Sequence, residues 1–133
     1  LDAPQQNIIQ YFDETFDFIH PILEGEGRVL VHCVAGVSRS ATIITAYLMR
    51  LKGLRYKAAL AMLKRVRPFV TPNDGFLEQL RLYQTMGNRV DVNHPDYKKF
   101  LEMHSNQDEA GKCGRRVVVL NHTCSKFVNF TVN

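Results

Sequence analysis

The sequence has no apolar run approaching the roughly 18 residues of a membrane span, and its start lacks a secretory signal pattern. It has no internal repeat and no low-complexity tract. Cysteine is scarce: Cys33, Cys113 and Cys124 form an odd, irregularly spaced set that builds no disulfide framework. A reducing compartment, cytoplasm or nucleus, is the simpler setting, and it is where a thiolate survives. Excess charge is also small. Lys and Arg total 17 against 13 Asp and Glu, a formal net charge of +4. That balance suits an anionic ligand. Outside Lys98-Lys99 and Arg115-Arg116 the basic residues are scattered, with no aromatic-basic stripe, so nucleic acid is not expected as a partner. Metal ligands are poorly arranged. Cys113 and Cys124 lack the paired Cys-x2-Cys arms of a zinc site, so they, His104 and His122 read as ordinary residues. No metal and no cofactor is expected. The triplets Asn121-His122-Thr123 and Asn129-Phe130-Thr131 match a glycosylation pattern that arises often by chance.

What is present is room for one modest domain: 133 residues, 45% hydrophobic. Ile8, Ile9, Phe12, Phe16 and Ile19 recur at helical steps, predicting a helix over 7–19 with Asn7 as cap and Pro21 as stop. Arg28 to His32 reads as a buried strand, parallel and central. Helices are predicted over Ser40–Leu51, ended by Gly53, over Tyr56–Val66, and from the Thr71-Pro72-Asn73-Asp74 cluster to Met86-Gly87. After Gly87 the sequence becomes polar. It offers a short helix at Tyr97–Met103 and a strand at Arg116–Leu120. We divide the chain into 1–88 and a C-terminal tail, 89–133.

The chemistry concentrates in His32-Cys33-Val34-Ala35-Gly36-Val37-Ser38-Arg39-Ser40, at a strand-to-helix junction. A free cysteine ionises near pH 8.5, and a helix N-terminus with a neighbouring guanidinium lowers that to roughly 3.5–7.5. Five residues separate Cys33 from Arg39, enough chain to wrap the amides of Val34, Ala35, Gly36, Val37, Ser38 and Arg39 around one phosphate. Gly36 suits a tight curl. Arg39 offers a two-pronged donor for phosphate oxygens, and Ser40 can cap the helix or reach the Cys33 sulfur. Cys-x5-Arg alone is a weak signal, and a lone cysteine after a strand is more often a small buried hydrophobe. The full string is far more specific.

That string resembles the signature of the dual-specificity protein phosphatases, in the cysteine-dependent tyrosine phosphatase superfamily. The resemblance extends through Tyr47-Leu48-Met49 and Pro72-Asn73-x-Gly75-Phe76-Leu77 and covers roughly Asp2 to Gly87. Leu82-Tyr83-Gln84-x-Met86-Gly87, Val90-Asp91 and Tyr97-Lys98 are most similar to the subfamily with a zinc-binding C-terminal domain, whose ligand pattern this tail does not reproduce.

The resemblance implies a phosphorylated protein as substrate and a cysteinyl-phosphate formed on Cys33. Arg39 would hold the phosphate, Ser40 would assist release, and an Asp would serve as general acid. Asp2, 31 positions before Cys33, is in the family's register; Asp13 and Asp17 lie inside the predicted helix. His32 would order the loop and Asn73 would brace it. The implied fold is α/β: the C-terminal part of a phosphatase domain, a central parallel-type sheet flanked by helices, without its N-terminal strands. The opening on Leu1 reads as a fragment or processed product. The alternative is a non-catalytic phospho-binding or regulatory fragment. A lipid phosphatase ranks lower, because Val34 and Val37 stand where such enzymes usually carry Lys.

Overall fold

The computed structural model describes residues 2–105 in full, together with the backbone of residues 115–121 and 128–132. A 3-10 turn, Ile9–Tyr11, leads into α1 (Phe12–Glu24), followed by β1 (Val29–His32), α2 (Arg39–Lys52), α3 (Tyr56–Val66), α4 (Asp74–Thr85) and α5 (Pro95–Ser105). Two further strands, β2 (Arg115–Asn121) and β3 (Val128–Val132), complete a sheet of order β1-β2-β3.

The central element is α2. It packs against α1, α3, α4 and β1, so it is buried on nearly every side. Its polar residues must then bond internally, and they do. The hydroxyls of Thr42 and Thr45 donate to the carbonyls of Ser38 and Ala41, at 2.8 and 2.7 Å. Ile43, Ala46 and Met49 meet Ile8, Ile9, Phe12, Phe76, Leu80 and Tyr83 in one core. Gly53 takes a left-handed φ of 62° and ends the helix, its N–H returning to the Met49 carbonyl.

Three expectations change. The first helix does not begin on an Asn7 cap or stop at Pro21. Gln79 of α4 instead holds the start of the preceding 3-10 turn from 70 residues away, its Oε1 accepting from the N–H groups of Ile8 and Ile9 at 2.8 and 2.9 Å. Pro21 lies inside α1. It deletes the hydrogen bond to the Asp17 carbonyl, and Asp17 is exposed, where water can take that bond. The strand β1 is not parallel: it pairs antiparallel with β2, Val29 opposite Asn121 and His32 opposite Val118. It is not fully buried either, since Val29 and Val31 face inward while Leu30 is 54% exposed. A short apolar run does not disclose the direction of its neighbour, and here β2 runs against β1.

Packing continues past residue 88. Tyr97 of α5 joins the core, and the Val90 N–H donates to Asp13 Oδ2 at 2.8 Å. Asp13 Oδ1 accepts from the Tyr83 hydroxyl at 2.9 Å and from Arg50 at 3.2 Å. Burial, and then the Asp13 carboxylate, push the Tyr83 phenol well above its usual range. One carboxylate thus ties α1 to α2, α4 and the segment leading to α5. Exchanging Asp13 for alanine leaves the buried Tyr83 hydroxyl unpaired and the mostly buried Arg50 guanidinium with only its longer contact to Asp17. It is expected to cost about 2–3 kcal/mol, read as a lower urea midpoint with unchanged slope.

Candidate active site

Strand β1 delivers Cys33 to the mouth of a tight loop, and α2 begins at Arg39 on its far side. The Cys33 sulfur lies 3.3 Å from Ser40 Oγ. Burial pushes the Cys33 thiol up. The Ser40 hydroxyl, the backbone N–H groups of Ser40 and Gly36, and the Arg39 charge together outweigh it, so the thiol ionises below its ordinary value. The sequence pointed to the helix terminus and Arg39. The structure puts the Ser40 hydroxyl ahead of both. Arg39 is buried, 3% exposed, and so are its neighbours Ser38 and Ser40.

Asp2 is attached to this loop. Its Oδ1 accepts from the Ser38 hydroxyl and from Asn73 Nδ2, both at 2.8 Å. Ser38 Oγ accepts in turn from the Asn73 N–H at 3.1 Å. Asn73 meanwhile caps α4, its Oδ1 accepting from the Phe76 N–H at 2.9 Å. The helix cap and the contacts to Asp2 and Ser38 therefore come from one residue. The rest of the acid loop lies directly on α4. A Cβ on Gly75 would fall 1.9 Å from the Pro4 carbonyl oxygen, so only glycine permits that approach. Asp13 is committed to Tyr83, Arg50 and Val90, and Asp17 to Arg50, leaving Asp2 as the carboxylate at the loop.

His32 is different. Its side chain is exposed. Val34 is also turned out, 70% exposed, so its side chain rims the site. Cys113, His122 and Cys124 fall outside the described residues. The His104 ring instead bonds the Phe100 carbonyl at 2.8 Å. Among the described residues no group of three or more His, Cys, Asp or Glu is placed to hold a metal, and no helix is long and apolar enough to cross a membrane.

Sequence reasoning missed Gln79, Gly75 and Arg67. Gly75 stood inside a quoted motif, and its signal was readable as a close approach. Gln79 and Arg67 act across 31 to 71 residues and left no local mark.

A cysteine whose thiol ionises below its ordinary value, a buried arginine six residues on and an aspartate bonded to the same loop form one cluster. The family model for the dual specificity phosphatase catalytic domain matches residues 1–86, and the chain belongs to that family. It is 49% identical over 84 residues to dual specificity protein phosphatase 19 of Mus musculus, covering 63% of this chain and 38% of that protein. It is 44% identical over 101 residues to dual specificity protein phosphatase 12 of Homo sapiens, covering 75% and 29%. The crystal structure of human tyrosine phosphatase-like serine/threonine/tyrosine-interacting protein matches with a TM-score of 0.63 and 42% identity, over 65% of this chain and 57% of that one. The chain thus spans well under half the length of the two curated relatives, and its helices and strand are those of an α/β phosphatase domain in part.

The Ser40 contact makes its own prediction. The thiolate fraction of Cys33 rises with pH through its pKa, so a lowered pKa moves that rise to lower pH. Removing the hydroxyl in Ser40→Ala leaves burial less opposed. The pH midpoint of Cys33 alkylation by iodoacetamide is expected to move up by about one unit, the worth of one hydrogen bond to a charged group.

Proposed function

We propose that this loop hydrolyses phosphate monoesters of protein side chains, phosphotyrosine and phosphoserine or phosphothreonine, through a cysteinyl-phosphate. The observation that carries the reading is the junction of the two halves of the site: Asp2 hydrogen-bonded to Ser38, one residue before Arg39.

In the first step the Cys33 thiolate attacks phosphorus and the P–O bond to the side chain breaks. Arg39 and the loop amides hold the non-bridging oxygens as charge develops. Protonated Asp2 gives its proton to the departing oxygen. In the second step the Asp2 carboxylate takes a proton from water as that water attacks phosphorus. The S–P bond breaks, inorganic phosphate leaves, and Ser40 donates to the returning thiolate. A phosphorylated protein in the cytoplasm or nucleus is the proposed substrate.

Rapid acid quench of the chain mixed with p-nitrophenyl phosphate, followed by peptide mass spectrometry, tests this. A phosphoryl group on Cys33 during turnover is expected. Turnover without it, or binding without either, would reject the reading; the last result is what a non-catalytic binding fragment gives.

A further inference from the structure

The connection between α3 and α4 runs along the outside of the phosphate loop and takes two consecutive carbonyls from it. Arg67 Nε donates to the Gly36 carbonyl at 3.2 Å, and the Thr71 N–H donates to the Val37 carbonyl at 2.7 Å. Every peptide bond described is trans. In a planar trans peptide the carbonyl of one residue and the N–H of the next point in opposite directions. Tying the Gly36 carbonyl to Arg67 therefore aims the Val37 N–H away from the connection, and tying the Val37 carbonyl to Thr71 does the same for the Ser38 N–H.

Four further features hold this arrangement. Gly36 has a φ of +66°, a conformation that frees its carbonyl to turn outward and that glycine adopts without strain. A Cβ there would fall 2.7 Å from Arg67 Nη2, so the guanidinium occupies the space beside it. The guanidinium lies over the ring of Phe69, 4.4 Å from its centroid, which accounts for an aromatic side chain left 59% exposed. Val70, 1% exposed, anchors the connection to the body of the domain.

We infer that Arg67 is a positioning residue for phosphoryl binding: through the Gly36 carbonyl it fixes the direction of the Val37 N–H donor, and Thr71 does the same for Ser38. The inference rests on the loop being a phosphate site, as proposed above. It differs from a charge effect, because the bonded atom is Nε rather than the tip of the guanidinium.

Substitution separates the two. Arg67→Gln keeps an N–H donor at the same number of bonds from Cα and removes the charge. Arg67→Lys keeps the charge and moves the donor, and Arg67→Met keeps only the stem. Orthovanadate affinity is measured by titration, and Cys33 alkylation is followed against pH in the same variants. Arg67→Met is expected to weaken vanadate binding roughly tenfold, the worth of one hydrogen bond. Arg67→Gln is expected to restore most of it. The Cys33 alkylation midpoint should stay unchanged, since the groups that lower it are Ser40, the Gly36 N–H and the Arg39 charge. The amide resonance of Val37 should shift on vanadate addition in the wild type and Arg67→Gln, and not in Arg67→Met. Equal affinity in all four chains would overturn the inference, and so would rescue by Arg67→Lys with none by Arg67→Gln. A wild-type chain that binds no vanadate would instead overturn the phosphate site itself and the inference with it; binding without turnover would reject only the hydrolytic reading.

Discussion

Serine in place of Cys33 is expected to abolish turnover of p-nitrophenyl phosphate, by a factor on the order of 10³–10⁶ as for other nucleophile deletions. The reason is electronic more than steric. Ser40, two backbone N–H groups and Arg39 together favour a negative charge on the atom at this position. A thiol with ordinary pKa near 8.5 responds by ionising, whereas a serine hydroxyl starts far too high for the same groups to bring it into range. The donors themselves remain in the variant, so vanadate binding should persist. Loss of both together would point to a collapsed loop, and circular dichroism on the same sample checks that.

Arg39→Ala is expected to act in the opposite way, reducing kcat/KM roughly 10²–10³-fold, the range seen when one preorganised oxyanion donor is removed, and weakening vanadate binding with it. Arg39 is 3% exposed, so its charge acts in a poorly screened setting. Arg39→Lys keeps that charge and loses the planar fork. It should recover less of kcat than of substrate affinity, measured by steady-state kinetics against pH. The Cys33 alkylation midpoint should rise modestly in both variants, and more in alanine, because Arg39 is the last of the contributions that lower it.

Much of the site was legible because its chemistry is local. Cys33, Gly36, Arg39 and Ser40 lie within eight consecutive residues, and loop geometry plus helix electrostatics account for each of them. Helices α2, α3 and α4 were legible to within a residue or two, since apolar spacing and the Gly53 and Asn73 punctuation agree with the packing. What escaped lies between distant segments. Gln79 holds the N–H groups at the start of the 3-10 turn before α1, and no local pattern announces a partner supplied by another helix. At His32 the strand's alternation turns the residue outward with Leu30. The pairing of β1 was misjudged because a short apolar run does not disclose the direction of its neighbour.

The first two turns of α4 touch both ends of the acid segment. Asn73, at its cap, holds Asp2, and Gln79, farther along, holds the N–H groups of Ile8 and Ile9. Cys33 and Ser40 are held elsewhere, by β1 and α2. Local opening of α4 would therefore leave Asp2, the proposed proton donor, held by Ser38 alone, with Cys33 still in place. Ester cleavage would falter first for substrates with a poor leaving group. An activated aryl phosphate, which departs with little help from an acid, would continue to react, so the ratio of the two rates becomes a gauge of how firmly one helix is seated.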